Sequence, residues 1–445
     1  MADEVRDSSV GGGARQVAAG IVRRLREAGH AALFAGGCVR DELLGLEPSD
    51  YDVATDAPPE RVTELFRNTR VVGKAFGVVP VRLRGVTVDV ATFRKESGYT
   101  DRRRPDSVEF TDAEGDASRR DFTINALFID PLDHAGPRGE LGTVIDYVGG
   151  VADLKRGLVR AVGDPDARLS EDHLRALRAV RFCARLGFEL ENATGEAITR
   201  HTRDLLGVSR ERIGDELRGM LSHPRRALAV ELMQRLGLDG PVLGEASEPG
   251  KFGGELALLR RLPRGASFAG SLAAWSADRL GAADGPARGV TDGVRLDSEA
   301  MVKLAKEAVP RLRSALVLSN LERDELKGGL TGVSLLEKDW DSLRVSRQKR
   351  VATSAWFPAA IEFVRARSGD AAANVERRIE ELAQTPGGLR PEPMVTGDDL
   401  IAAGLRPGPA FGHWLERLYD LQLEGELAGR EEGVGLVKGW ARGGE

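Results

Sequence analysis

A short apolar segment that runs directly into two glycines constrains the fold more than any other feature of the chain. Residues 31–35 are all apolar, and Gly36 and Gly37 follow at once. Such a run predicts a buried strand, and glycine accepts the backbone angles of a tight turn. With the helical pattern over residues 17–25 before it, the order is helix, strand, glycine turn, helix. The turn lets the backbone approach a phosphate chain, and the planar guanidinium of Arg40 suits phosphate oxygens.

Three aspartates stand in positions that suit divalent metal ions. Asp50 and Asp52 are two residues apart, so an extended chain presents both carboxylates on one side. Valines alternate over residues 86–90, which places Asp89 on the face opposite to them. If that strand lies beside the strand of Asp52, the three acids can hold two ions, with Mg²⁺ as the default. Such a site suits in-line displacement at phosphorus, which makes all three candidate metal ligands and catalytic residues.

The pattern of the chain changes near residue 150. Before it, residues 58–66 predict a helix that opens on two prolines, and residues 77–83 and 86–93 predict strands. After about residue 153 the patterns are almost wholly helical. Clusters of glycine and proline predict loops or boundaries near residues 237–254, 281–289 and 385–393.

The composition is that of an ordinary soluble protein. The 445 residues are 41% hydrophobic and 30% charged, enough for a large core divided into two to four domains. The net charge of −5 does not point to nucleic acid, so any such partner requires a local basic patch. Two cysteines and the lack of a long apolar run favour the cytoplasm and no membrane association. The first residues, through the glycines at 11–13, predict a flexible leader.

A second cluster combines acids and arginines far along the chain. Residues 119–127 place two arginines before an apolar run, and residues 171–182 predict a helix that carries acids and arginines. On this helix the charged residues Asp172, Arg175, Arg178 and Arg181 recur every three positions. A carboxylate that accepts and a guanidinium that donates match the Watson–Crick edges of cytosine and adenine and oppose those of uracil and guanine. Asp172 with Arg175 is therefore a candidate base reader; the alternative is an ordinary surface ion pair.

These motifs, in this order, resemble the class II tRNA nucleotidyltransferase and bacterial poly(A) polymerase family of the polymerase β-like superfamily. The resemblance extends through residues 145–154, 159–163 and 209–217, and more loosely through the C-terminal region. It implies an α+β fold, in which a nucleotidyltransferase head with a mixed sheet precedes an all-α neck, body and tail. The corresponding domains are a head at 14–150, a neck at 151–220, and a body and tail at 221–445.

The resemblance also implies an activity, the template-independent addition of C, C and A to tRNA 3′ ends from CTP and ATP. The implied partner is the tRNA acceptor arm, recognised by shape, and no protein partner is implied. Poly(A) synthesis, or the addition of only CC or only A, are alternatives with the same chemistry. An RNA-binding protein without activity is an alternative of another class, but the three acids are intact.

The resemblance assigns roles to further residues. Of Arg119 and Arg120, one is expected to bind triphosphate and the other to pair with an acid such as Asp121. Asn125 contacts the sugar or serves in capping or packing, and His173 is a tolerated variant where many relatives carry proline. The full set of expected nucleotide-binding residues is Gly36, Gly37, Arg40, Arg119, Arg120, Asn125, Asp172, Arg175, Arg178 and Arg181. The charged loop 96–106 corresponds to a flexible element that the family needs to switch from C to A addition.

Overall fold

The strands of this computed structural model lie mainly in the first third of the chain. The structure describes residues 10–66, 77–97, 107–133, 141–245, 255–283 and 298–443. The strands are β1 (Ala32–Ala35), β2 (Asp52–Thr55), β3 (Val78–Leu83), β4 (Val86–Thr92), β5 (Arg94–Ser97), β6 (Ser107–Phe110), β7 (Leu127–Asp130), β8 (Thr143–Asp146), β9 (Leu158–Val159) and β10 (Glu189–Leu190).

Helices surround these strands and make up most of the rest of the described chain. Those up to residue 242 are α1 (Val10–Glu27), α2 (Gly37–Leu43), α3 (Pro59–Leu65), α4 (Ala113–Ser118), α5 (Gly150–Arg156), α6 (Pro165–Glu171), α7 (Arg175–Leu186), α8 (Asn192–Arg200), α9 (Arg210–Leu221), α10 (Arg226–Arg235) and α11 (Asp239–Val242). The later ones are α12 (Ala257–Arg261), α13 (Phe268–Ala283), α14 (Ser298–Leu316), α15 (Asn320–Thr331), α16 (Val345–Ala352), α17 (Phe357–Arg367), α18 (Gly369–Ala383), α19 (Gly397–Ala402), α20 (Ala410–Glu424) and α21 (Arg430–Gly443). Short 3₁₀ helices at Thr123–Asn125 and Thr202–Gly207 interrupt the connections.

A mixed six-stranded sheet, in the order β3-β4-β2-β1-β7-β8, organises the first part of the chain. Strands β2 and β4 are parallel neighbours, whereas β1 runs antiparallel to both β2 and β7. The predicted strands at 31–35, 77–83 and 86–93 are confirmed as β1, β3 and β4, and the predicted helix at 58–66 is α3. The mixed sheet with helices confirms the expected fold class of this region.

Buried apolar residues cover both faces of the sheet. Leu33 and Ala35 of β1 pack with Phe93 and Phe128 in one cluster, and the intervening Phe34 is fully buried on the other face. The alternation that exposes one face of many antiparallel strands is therefore absent from β1, as its all-apolar sequence predicts. This packing fixes the position of the glycine turn that follows β1.

The start of α1 differs from the expectation of a flexible leader through residues 11–13. Residues 1–9 lie outside the described residues, but Val10 and the three glycines after it belong to α1. Each glycine costs a helix only about 1 kcal/mol relative to alanine, and propagation from a formed helix is easier than nucleation. Helix α1 therefore includes the glycine-rich segment at its start.

In the described residues beyond 150, the regular structure is helical apart from one short parallel pair of strands, β9 with β10. The predicted loop at 385–393 is confirmed, while those at 237–254 and 281–289 lie partly outside the described residues. Among the described residues no helix combines the length and apolar character that crossing a bilayer requires.

The chain divides into two compact units. The first comprises Met1–Glu216 with Leu228–Gly250, and the second comprises Leu217–Ala227 with Lys251–Glu445. The sheet and the helices up to residue 216 thus share one unit, and the boundary expected at residue 150 stays a prediction. In the second unit α13, α15 and α17 pack on one another, and α19 packs on α21.

Candidate active site

Three aspartates meet where β2 and β4 run side by side. Asp52 is the first residue of β2, Asp89 lies opposite it in β4, and Asp50 precedes β2 by two residues. All three residues are exposed to solvent. Even so, desolvation by the surrounding protein, together with the charges of Asp50 and Asp89, raises the pKa of Asp52 to about 6. The condition set by the sequence, that the two strands be neighbours, is met.

The glycine turn lies beside an arginine that acts on these acids. Gly36 has a φ of 76°, and a Cβ on it would lie 2.8 Å from Nη1 of Arg120. A side chain at this position would thus be strained and would collide with Arg120. The charge of Arg120 opposes the rise of the pKa of Asp52. The turn, the arginine and the acids therefore form one polar surface.

Both arginines at 119 and 120 pair with Asp116, which sequence analysis did not single out. Nη2 of Arg119 lies 2.6 Å from Oδ1 of Asp116, and Nη2 of Arg120 lies 2.9 Å from Oδ2. Burial alone would raise the pKa of Asp116, but the two guanidinium groups hold it below its ordinary value. Pairing with an acid agrees with the expectation, but the acid is Asp116 and not the example Asp121, because Asp116 is three and four residues earlier on the turn of α4 and lies within direct reach.

Asp121 instead belongs to a chain of hydrogen bonds that starts at Arg40. Nη1 of Arg40 donates to Oδ1 of Asn125 at 2.6 Å, and Nδ2 of Asn125 donates to Oδ1 of Asp121 at 3.0 Å. Arg40 is buried, and its Nε also donates to Asp41 at 2.8 Å. Arg178 completes the chain with an ion pair of 2.7 Å to Asp121. Arg40 and Asn125 therefore connect the glycine turn to α7, consistent with the packing role left open for Asn125.

The predicted helix over residues 171–182 is interrupted at Asp172. Helix α6 ends at Glu171, Asp172 has extended backbone angles, and α7 begins only at Arg175. The Oδ1 of Asp172 accepts from the backbone N–H of Leu174 at 3.1 Å, the local Asx-turn bond by which an aspartate side chain competes with helix formation. The expectation that Asp172 lies on the same helix as Arg175 was wrong for this reason.

Separate partners hold Asp172 and Arg175. Arg212 donates to both carboxylate oxygens of Asp172, at 3.1 and 2.6 Å, and Arg175 pairs with Glu171 at 2.5 Å. A two-point guanidinium contact fixes the plane of the carboxylate. Arg212, which lies 40 positions away in α9, thus orients the residue expected to read the base.

Arg178 and Arg181 lie around one aromatic ring. Arg181 pairs with Glu216 at 2.6 Å, and the guanidinium groups of Arg178 and Arg181 lie 5.4 and 4.8 Å from the centre of the Phe182 ring. Arg40 lies 5.1 Å from the same ring. An aromatic ring attracts cations to its face, because the face carries partial negative charge. Phe182 therefore joins the arginines of α7 to the glycine turn.

Comparison with known proteins places this arrangement in a family. The chain is 34% identical over 413 residues to the CCA-adding enzyme of Limosilactobacillus fermentum, covering 92% of each protein. The chain belongs to the CCA-adding enzyme family. The CCA-adding enzyme of Geobacillus thermodenitrificans is 42% identical over 236 residues, which is 52% of this chain and 56% of that protein.

Family models and a solved structure agree with this assignment. Residues 32–160 match the poly A polymerase head domain, and residues 187–247 match the probable RNA and SrmB-binding site of polymerase A. The crystal structure of the Bacillus stearothermophilus CCA-adding enzyme in complex with CTP superposes with a TM-score of 0.68 at 28% identity, covering 96% of this chain and 97% of that one. The resemblance read from the motifs is thus confirmed, and the three acids and the glycine turn fall within the matched head domain.

Four residues that complete the site escaped sequence reasoning: Asp116, Glu216, Arg212 and Phe182. Arg212 and Glu216 occur in the quoted segment 209–217, but their partners are 40 and 35 positions away. Only tertiary structure brings such distant charges together. Loop residues 98–106, expected to help the switch from C to A addition, lie outside the described residues.

The raised pKa of Asp52 predicts how metal affinity depends on pH. Because the pKa is about 6, Asp52 is ionised above pH 6 and protonated below it, and a proton must leave before an ion binds. We expect the dissociation constant for Mn²⁺, titrated without nucleotide, to rise about tenfold per pH unit below pH 6. Asp89→Asn removes a neighbouring charge and should move this break to lower pH. A constant affinity from pH 7 to pH 5 would contradict the assignment.

Proposed function

We propose that this protein adds C, C and A to the 3′ ends of tRNA from CTP and ATP, with release of pyrophosphate. The observation that carries the proposal is the meeting of Asp50, Asp52 and Asp89 beside the glycine turn. It occurs in a chain that aligns with a CCA-adding enzyme over 92% of its length. The helical body and tail hold the acceptor arm of the tRNA through its shape.

The donor set at the acids fits divalent magnesium. All donors are carboxylate oxygens, which Mg²⁺ prefers, and the raised pKa of Asp52 reflects desolvation together with repulsion from Asp50 and Asp89, which a bound cation would relieve. Asp50, Asp52 and Asp89 would hold the metal, and two ions are expected. When bound, the metal supplies charge stabilisation and activation of the attacking hydroxyl. Nucleotide substrates and metal dependence follow from the family; the number of ions is part of the proposal.

The residues around the acids bind and orient the nucleotide. Arg120 lies against the glycine turn, where a triphosphate would approach Gly36 and Gly37, and Arg119 reinforces it by sharing Asp116. The Nη1 of Arg120 also donates to the backbone carbonyl of Asn125 at 3.1 Å, so this guanidinium, with its five N–H bonds, spans the space between Asp116 and the glycine turn. The site thus combines an acidic surface for the metal with a basic one for phosphate.

Base choice is assigned to the connection between α6 and α7. The Asp172 carboxylate accepts from the exocyclic amino group of C or A, and Arg175 donates to the adjacent ring nitrogen. Arg212 fixes Asp172, and Arg175 reaches the backbone carbonyl of Arg119 at 3.4 Å, which joins the base reader to the phosphate-binding segment. Arg178 and Arg181 support this region through Asp121 and Glu216.

Defined tRNA ends separate this activity from its alternatives. The full chain is incubated with transcripts that end before CCA, after the first C and after the second C, and with each labelled nucleotide singly and in mixture. We expect two C additions, then one A, then arrest, and no extension of a non-tRNA RNA of equal length. Ladders of A on any RNA indicate a poly(A) polymerase. Arrest after CC, or A addition alone, indicates a partial activity, and binding without extension indicates an RNA-binding protein.

A further inference from the structure

Two histidines and an aspartate that take no part in the proposed transfer site converge in the first unit. His173, His201 and Asp204 each offer a ligand atom, and these atoms lie within 4.8 Å of one another. The imidazole rings of His173 and His201 are nearly parallel, with centres 5.9 Å apart. Imidazole nitrogen with carboxylate oxygen is a donor set typical of Zn²⁺ and neighbouring transition metals rather than of Mg²⁺.

The two ring nitrogens of His201 have the contacts expected of a histidine that binds a metal ion. Its Nδ1 faces Oδ2 of Asp204 at 3.0 Å, and its Nε2 faces Oδ1 of Asp166 at 3.1 Å. Two ligands of one tetrahedral ion lie about 3.2 Å apart, given metal–donor distances of about 2.0 Å. A histidine that binds metal through one nitrogen commonly donates its other N–H to a carboxylate, which fixes the ring. Asp166 stands in that position.

Asp166 is held in place by a second charged partner. Arg200 pairs with Asp166 at 2.6 Å. Because the Nε2 of His201 faces Asp166, its Nδ1, which faces Asp204, is placed to bind an ion. His173 is buried, whereas His201 and Asp204 are partly exposed, so an ion can enter from solvent on their side.

We propose that His173, His201 and Asp204 form a binding site for one divalent transition metal of the Zn²⁺ class, with Asp166 orienting His201. The remaining coordination positions belong to water. The site is distinct from the Asp50, Asp52 and Asp89 cluster in residues and in ligand chemistry.

The position of the site in the fold gives it a structural consequence. His173 lies in the connection between α6 and α7, next to Asp172, while His201 follows α8 and Asp204 lies on the 3₁₀ helix Thr202–Gly207. An ion bound by all three ties that connection to a segment about 30 residues further along the chain. Binding therefore stabilises the folded first unit and restricts the segment that holds Asp172.

Cobalt provides a direct test, because its visible spectrum reports the ligands. The full chain is treated with a chelator, which is then removed, and is titrated with Co²⁺ in the absence of nucleotide and magnesium. Zn²⁺ affinity is measured by competition with a chromophoric chelator. We expect one equivalent of Co²⁺ with absorption bands of a low-coordinate nitrogen and oxygen site, displaced by Zn²⁺.

Four variants make the result specific, and a fifth replaces a ligand variant that fails to fold. His201→Asn and His173→Asn should abolish the stoichiometric band, and Asp166→Asn should weaken Zn²⁺ binding about 10- to 100-fold without removing a ligand. His413→Asn changes an exposed histidine of α20 and should bind as the parent does. Circular dichroism checks folding, and Asp204→Asn replaces either histidine variant that fails this check. Absence of one-to-one binding, or unchanged binding in the folded ligand variants, overturns the proposal.

Discussion

Replacing Asp52 with asparagine is expected to lower nucleotide incorporation about a thousandfold or more while tRNA binding is retained. Asp52 lies between Asp50 and Asp89 at the start of β2, and its carboxylate is the shared candidate ligand of the metal. Asparagine keeps the shape but removes the charge, so the stabilisation of the transition state by the ion, several kcal/mol, is lost. A loss of about 4 kcal/mol corresponds to a factor of about 10³ in rate.

The matched control is Asp56→Asn, just beyond the other end of the same strand. Asp56 is an exposed acid that pairs with His30 at 3.2 Å and lies outside the acidic cluster. The Asp56→Asn variant should keep an incorporation rate within a factor of two of that of the parent, since a surface ion pair contributes little to stability. Single-turnover incorporation of CTP, together with filter binding of tRNA, measures both quantities. Retention of most of the rate in Asp52→Asn would show that these acids do not form the transfer site.

The sequence predicted the head region well because its local patterns agree with its packing. The all-apolar segment before Gly36 requires a buried strand, and the two strands at 77–83 and 86–93 follow from their alternation. The pairing of Asp52 with Asp89 could only be stated as a condition, because strand order depends on long-range contacts that one sequence does not contain. The structure places β2 and β4 side by side, and the condition is met.

The neck shows where such reasoning fails. A regular spacing of three from Asp172 to Arg181 suggested one continuous helix, but an aspartate side chain also bonds to nearby backbone N–H groups, and that local preference prevailed. Likewise the partners of Arg119 and Arg120 were sought at Asp121, whereas Asp116 on the preceding turn is buried beside both. In each case two physically reasonable partners competed, and only the packing decides between them.

The proposed metal site contacts phosphates and not bases, so the selection of C and A is expected to reside elsewhere, and Asp172→Asn tests where. The amide presents a donor in place of one acceptor oxygen, which favours the carbonyl of uracil or guanine over the amino group of cytosine or adenine. We expect the preference for CTP over UTP to fall about 10- to 100-fold, since a good base contact contributes about 1–3 kcal/mol of discrimination. The ratio of the two incorporation rates is the measurement, as it is insensitive to a general loss of active protein.

The experiment separates a direct role of Asp172 in base recognition from a purely structural role. Arg212 binds Asp172 at two points, so the substitution also weakens a structural contact, and that effect alone would reduce all four nucleotides equally. Asp164→Asn, at the start of α6, is the control, because asparagine caps a helix as well as aspartate does. A uniform decrease with an unchanged CTP to UTP ratio would leave Asp172 as a partner of Arg212 only. A changed ratio would mean that Asp172, held in place by Arg212 of α9, selects the base, whereas the transfer reaction takes place at β2 and β4.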